Sequence, residues 1–591
     1  MILDDRCRTR RVGSTTALLV LVAGIALGGC RPADRPQGSP EAPGEGPASG
    51  DRRPAGTPAT SGTRGPRVGG TFRYAETSDI PALDPVRVDD TASNHVATQI
   101  FDGLVSLDDD LEIVPALATD WRVSDDGLTW TFELRRDVFF HDDPCFVGGR
   151  GRALVAADVK ASFERICDPG SGSTGHWIFA GKIRGADAFH RGETAGVEGF
   201  EVVDPHTFRL HLERPYAPIL RLLTMPYTLV VAPEAVARYG ATLDHHPVGT
   251  GPFQLAEWEP GRRLRLERHE RYWDRDREGR RLPYLEAVDV RFVDDPVEQV
   301  RAFERGELDM LYPIPPAFFQ TLVVPEGGVR TGIGNYVIQS SPELDVQYIG
   351  FRMDLEPFAG NRALRQAFNY AVDRVALVER VVRRGRPAHH GVLPPGLPGF
   401  NRELTGYHFD LERARSLMAA AGYPDGEGFP ELTLQVNAGG TATVELAEAV
   451  AAQLGRLGVR IRVRALDWAE HLRTIEDEEV PFFRMAWLAD YPDPENFLAL
   501  FLSRNLAPHG PNATRYVNPE FDRLIDQALA TTDDDDRTAL YQRAESLVVE
   551  DAPWLFLFHA ESYRLIQSWV RGFPINSLDH RVLKRVWLER G

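Results

Sequence analysis

Residues 484–497 read RMAWLADYPDPENF: an apolar, strand-like run, Met485-Ala486-Trp487-Leu488-Ala489, leads straight into Asp490 and then a loop with two prolines. Aspartate is depleted in strands, and a half-buried carboxylate is costly unless a cation meets it. That cation is either an arginine of this chain, with Arg484 the nearest before it, or a group carried by a ligand. Capping of the next helix is the remaining use for such a carboxylate.

Other residues that could do chemistry do not converge on a catalytic set. The chain contains no G-x-S-x-G and no H-E-x-x-H. His245-His246 and His389-His390 are adjacent pairs, whereas helical metal sites place histidines four apart. Gly249-Thr250-Gly251 lacks the third glycine of a dinucleotide loop and reads as a tight turn. The run Asp533–Asp536 suits an exposed loop and helix start, where negative charge is favourable; a calcium loop alternates its ligands around a glycine. The expectation is therefore a protein that is not an enzyme, with no cofactor and no metal.

The elements that must hold Asp490 alternate between strand and helix. Strands are expected at Gly69–Tyr74, Thr129–Leu134, Val288–Val293, Leu308–Leu311 and Val459–Ala465, and helices at Ala156–Cys167 and Val297–Arg305. Asp410 caps a helix running to Ala421 with Gly422 as its stop, and another helix covers Thr443–Leu457 before Gly458. The clearest helix is Asn361–Arg383. Leu364, Phe368, Ala371, Val375, Val378 and Val382 fall on one face of it, leaving its arginines on the solvated side. This rhythm predicts an α/β protein.

Composition narrows the class. The chain has 591 residues, 43% hydrophobic and 26% charged, enough for about three globular units with a sizeable core. A net charge of −19 makes nucleic acid a poor partner. Residues 1–30 read as a targeting segment. Arg6, Arg8, Arg10 and Arg11 precede an apolar stretch, Thr15–Leu27, that is too short for a comfortable span. It ends at Leu27-Gly28-Gly29-Cys30, a lipobox-like site at which Cys30 is expected to be lipidated and anchored to a membrane. Residues 31–67 are rich in Pro, Gly, Ala, Ser and Thr, without aromatic or large aliphatic residues before the body, and read as a disordered tether. Two cysteines then remain, Cys145 and Cys167. In an exported, oxidising setting a disulfide between them is expected, two free thiols being the alternative, since spacing does not fix the geometry a bridge needs.

Several segments occur in a characteristic order: GGTFRYA (69–75), LDP (83–85), PVGTGPF (247–253), FERGELDML (303–311), NRALRQAFNYAVDRVALVERVV (361–382), WLADYPDPENF (487–497) and the long stretch 518–558 ending DAPWLFLF. From about residue 68 to its end the chain resembles the extracytoplasmic solute-binding proteins of peptide-type ABC importers, the oligopeptide- and dipeptide-binding family (solute-binding family 5). That resemblance implies a hinged, two-lobed periplasmic-binding-protein fold of α/β type with an additional inserted α+β domain. The first lobe would use 68–92, 238–337 and 556–591, the inserted domain 93–237, and the second lobe 338–555.

The resemblance also assigns roles. Asp490 would pair with a peptide's α-ammonium group, Trp487 would line a pocket, Ala489 would lie beside the ligand, and Arg484 would take its C-terminal carboxylate. Ser78 and Ile80, flanking Asp79, would offer an edge for strand addition, weakened by Pro81. A histidine that some relatives use at the carboxylate end is missing from NAGGTATVE (437–445). The implied protein is a monomer that captures di- or oligopeptides with high affinity by hinge closure. It delivers them to a membrane-embedded ABC permease with its ATPase subunits, from the periplasm or cell exterior. Same-fold proteins for an oligosaccharide, an opine-like conjugate, a nickel chelate or haem are the alternative.

Overall fold

The computed structural model describes residues 65–323, 336–477 and 479–590. The signal segment, Cys30 and nearly all of the tether lie outside the described residues.

Three groups of sheets organise the chain. The strand Thr71–Glu76 pairs in parallel with Ala287–Phe292, and Arg263–Arg268 and Phe253–Glu259 continue this four-stranded sheet. A neighbouring three-stranded sheet places Glu561–Gln567 between Met310–Leu311 and Tyr336–Pro342. These two sheets form the first lobe, assembled from the beginning, middle and end of the chain. An antiparallel four-stranded sheet of Ala118–Val123, Thr129–Leu134, Thr207–His211 and Phe200–Asp204 belongs to the inserted domain. The second lobe is built on a mixed six-stranded sheet in which Asp345–Phe351 lies between Trp554–His559 and Phe482–Leu488.

The chain passes from the three-stranded sheet to the six-stranded sheet at Pro342–Asp345 and back at His559–Glu561. The two crossing segments bond to each other. Glu343 N donates to Ala560 O (2.9 Å), Ala560 N donates to the Asp345 carboxylate (2.6 Å), and His559 Nδ1 donates to Asp345 O (2.7 Å). Burial lowers the His559 pKa to about 4, so the ring is neutral and free to donate. Burial, helped by the nearby Glu343 charge, pushes Asp345 up to about 7. A pair of adjacent crossings is the geometry of a hinge.

A buried ion network closes the first lobe. Arg581 donates to Glu76 (2.8 Å) at the end of the opening strand and to Asp579 (3.0 Å); His95 lies between the same two carboxylates, 3.0 Å from each. The network joins the N-terminal strand, the inserted segment's first helix and the C-terminal tail. Nearby carboxylates hold His95 above its ordinary pKa against the opposing effect of burial, and Arg581 holds Asp579 well below the carboxylate range.

Several expectations need correction. The long helix breaks: Arg362–Ala371 ends at Val372, whose backbone is extended, and Asp373 caps a fresh start at Arg374. The last turn, Val378–Val382, is a π-helix ended by Arg383 in the left-handed region. Two of its arginines are in the core rather than in solvent. Arg365 donates to Phe358 O and Asp551 O, and Arg374 to Phe556 O and to both oxygens of Asn369. Burial lowers both guanidinium pKa values to about 10. Arg374 ties the helix to the strand Trp554–His559 through Phe556 O, and Arg365 ties it to the carbonyl end of the helix Asp534–Asp551. The expected disulfide is absent: Cys145 and Cys167 are free. Cys167 is buried at the end of the helix Ala156–Cys167, whereas Cys145 sits in a partly exposed loop beside Asp143, so each thiol packs in its own surroundings.

Candidate ligand site at the hinge end of the second lobe

The strand Phe482–Leu488 runs from the second lobe's core toward the hinge, antiparallel to Asp345–Phe351. Pairing continues one residue past its end, where Ala489 N donates to Leu344 O (2.8 Å). Asp490 follows, displayed where the sheet runs out. Asp493 then caps the short helix Pro494–Leu498 through Glu495 N (2.9 Å), so Asp490 is not the cap.

That helix returns Asn496 beneath Asp490. Asn496 Oδ1 accepts from Trp487 Nε1 (2.9 Å) and from Asp490 N (3.2 Å), and its Nδ2 donates to Asp490 Oδ2 (3.1 Å). Among the described residues no cation pairs with Asp490. Solvent reaches its side chain, yet protein crowds it enough that desolvation raises its pKa, with Asn496 acting the other way. A carboxylate both reachable and poorly hydrated belongs to a cleft wall. Tyr227, from the inserted domain, feels its charge. Trp177 of the same domain stacks on Tyr491, ring centroids 6.4 Å apart. Leu488, opposite Asp345 in the ladder, is 46% exposed and gives this wall an apolar patch.

The remaining expected residues are placed as follows. Trp487 is 7% exposed, and its indole N–H is occupied by Asn496. Ala489 is buried. Arg484 does not reach Asp490. Its guanidinium donates to Asn437 Oδ1 (3.0 Å) and Gln347 Oε1, while Nε has no partner. Both partners are neutral amides, and burial lowers the Arg484 pKa to about 10. On the first lobe Ser78 is exposed, but Ile80 is a core side chain whose N–H bonds to Asp79 Oδ1 (2.9 Å), leaving that amide no free donor for an added strand. Asp490, Trp487 and Ala489 thus lie together, Arg484 lies further along the same strand, and Ser78 and Ile80 belong to the other lobe. Sequence reasoning missed Asn496, Asn437 and Gln347, although the only amide side chain within the DPENF loop was a signal for the first. Among the described residues no group of three or more His, Cys, Asp or Glu could hold a metal.

Comparison with known proteins places this geometry in context. The profile of the bacterial extracellular solute-binding proteins, family 5 (middle region), matches residues 112–507, more than half of the chain. The glutathione-binding protein GsiB of Salmonella choleraesuis is 29% identical over 516 residues, 85% of this chain and 93% of GsiB. The unliganded open form of the periplasmic murein tripeptide-binding protein MppA is 25% identical and superposes with a TM-score of 0.76, covering 88% of this chain and 97% of MppA. The periplasmic binding protein DppA of Helicobacter pylori, in complex with the peptide STSA, is 26% identical with a TM-score of 0.66, covering 89% and 99%.

Proposed function

Because the chain belongs to the bacterial extracellular solute-binding proteins of family 5, we propose that it captures amine-bearing peptides between its lobes and hands them to an ABC import permease. The observation that carries this reading is Asp490, a poorly hydrated carboxylate at the hinge end of a cleft, with no cation paired to it among the described residues. A ligand ammonium group supplies the missing charge on closure. A ligand lacking it leaves the carboxylate stranded, so the contact gives discrimination more surely than net affinity. Arg484, held only by amide oxygens, is the group offered to a ligand carboxylate, a bidentate task for which arginine is suited. Relatives named for glutathione, murein tripeptide and peptide binding support a ligand with both an amine and a carboxylate. The higher TM-score with an unliganded open form than with a peptide complex supports an open arrangement of the lobes here.

The protein acts as a monomer held to the membrane by lipid on Cys30, and closure is a rigid turn about the paired crossings at 342–345 and 559–561. Mass spectrometry of molecules that co-purify with the folded body tests the ligand class. Peptides or glutathione-like conjugates are the expected finding; sugars or metal chelates alone overturn the peptide reading while leaving the family intact.

A further inference from the structure

One neighbouring side chain, Gln347, decides how much charge Arg484 has to offer. Strand alternation sets them together. Asp345 and Gln347 stand on one face of Asp345–Phe351, and Arg484, opposite Ile349 in the ladder, shares that face. The Gln347 amide lies between two opposite charges: its Nε2 donates to Asp345 Oδ2 (2.7 Å), and its Oε1 accepts from Arg484 Nη2. The reverse orientation would set N–H against guanidinium and carbonyl against carboxylate, so the amide has one way to lie. Asp345 is held in turn from across the hinge, where its Oδ1 accepts from Ala560 N (2.6 Å). Asn437 Oδ1 accepts from Arg484 Nη1 (3.0 Å), which fixes the half-buried guanidinium at a second corner.

This arrangement withholds a counter-charge. Among the described residues Arg484 makes no ion pair; both of its side-chain partners are neutral amides. The groups that act on it electrostatically are Asp345, beyond Gln347, and Tyr348, whose phenol burial keeps neutral. His471, whose Nε2 donates to Arg484 O (3.0 Å), is neutral as well, its pKa lowered by burial to about 4. Glu343 acts on Asp345 and lies by Ser562 and Arg384. Amide oxygens satisfy N–H donors without cancelling the charge, whereas a carboxylate in the same place would cancel it in a stronger, charge-assisted bond.

We propose that Gln347 is a specificity-determining residue of the cleft: a neutral spacer that holds Arg484 apart from Asp345 and aims it, so that the guanidinium selects ligands ending in a free carboxylate over those ending in an amide. The proposal rests on the reading of Arg484 as the carboxylate-binding group. Gln347 acts through Arg484 and is a positioning residue; its anchorage to a hinge carboxylate is what keeps it from turning away.

The probe is a pool of di- to pentapeptides of mixed sequence, each present as the free acid, the C-terminal amide and the N-acetylated acid. It is equilibrated with the intact folded protein, and bound peptides are counted by mass spectrometry. The parent enriches free acids over amides at least about tenfold. Gln347→Glu gives Arg484 a carboxylate of its own and brings that ratio close to one, while the preference for free over acetylated amines persists. Gln347→Met lowers the acid preference at least about threefold, and adding Asp345→Asn restores part of it, because no carboxylate is then left to claim the guanidinium. A packing role alone would weaken acids and amides alike. The proposal is overturned, with the peptide reading intact, if the parent prefers free amines but not free acids, if Gln347→Glu with a native melt or Gln347→Met keeps the full acid preference, or if Asp345→Asn gives no rescue. If the parent retains no peptide at all, the reading of Arg484 falls and this proposal with it.

Discussion

Asp490→Asn isolates the contact on which the peptide reading rests. The substitution keeps the shape of the side chain and a carbonyl oxygen for Asn496 Nδ2, now 3.1 Å from Asp490 Oδ2, and removes only the charge. Two unit charges about 4 Å apart attract by about 4 kcal/mol at the effective dielectric of a partly buried site. Truncating one member of a desolvated, hydrogen-bonded charge pair costs about 2–5 kcal/mol, part of it the partner left unpaired. A loss of about 2–4 kcal/mol is roughly 30- to 1000-fold in Kd. The assay is calorimetric titration of one peptide found to bind, in its free-amine and N-acetylated forms, against both proteins. The parent discriminates strongly between the two forms, and the variant binds both about equally.

The thermal midpoint of the empty variant does not fall at neutral pH and rises slightly, because no ion pair among the described residues is lost and a desolvated charge is removed. The pH dependence has a definite sign. Asp490's folded pKa is raised, so its ionised form weakens the empty fold at neutral pH, and that penalty fades as pH falls. The ligand needs the ionised form, so affinity drops as pH falls through the raised pKa, and the variant's profile lacks this drop. Undiminished discrimination in Asp490→Asn, or a large fall in its empty-state melting temperature, refutes the reasoning.

Three further outcomes follow from the same geometry. Asn496→Ala strands the Trp487 N–H and the Asp490 amide, and urea unfolding should show a loss of about 1–3 kcal/mol. Asp345, pushed up to about 7 by burial and Glu343, destabilises the second lobe when ionised; unfolding free energy should therefore fall as pH rises from about 4 to 7, and Asp345→Asn should flatten that slope in denaturant titrations at several pH values. Arg581→Met leaves Glu76 and Asp579 buried with only His95 beside both, and chemical denaturation should show a loss of about 3–5 kcal/mol.

Much of the framework was readable because it depends on local pattern. Thr129–Leu134 and Ala156–Cys167 form where alternation and helical spacing put them, and Asp410 caps the expected helix. Asp490 stood out because a carboxylate closing an apolar strand is locally inconsistent, and such inconsistencies gather at functional sites. The features that escaped depend on distant partners. Nothing near Arg374 announces that Phe556 O will need a donor, and the apolar stripe of Asn361–Arg383 says nothing of the break at Val372. Asn496 acts only because a helix folds back under a strand it has just left, and Ile80 lost its free amide to the side chain of its own neighbour.

The placement of Glu561–Gln567 in the middle of its sheet, with Arg581 completing the charges of Glu76, has a consequence for the order of folding. The second lobe lies in one uninterrupted stretch and can condense as soon as that stretch has been synthesised. The first lobe cannot finish before that, because its central strand and its balancing guanidinium follow the second lobe in the chain. Long-range closure of this kind is slow, and a nascent chain that has not reached its tail stays half unfolded. Cutting the chain after residue 560 therefore takes away an interior strand and leaves the opening strand's carboxylate uncompensated, a far larger injury than the loss of a loose end.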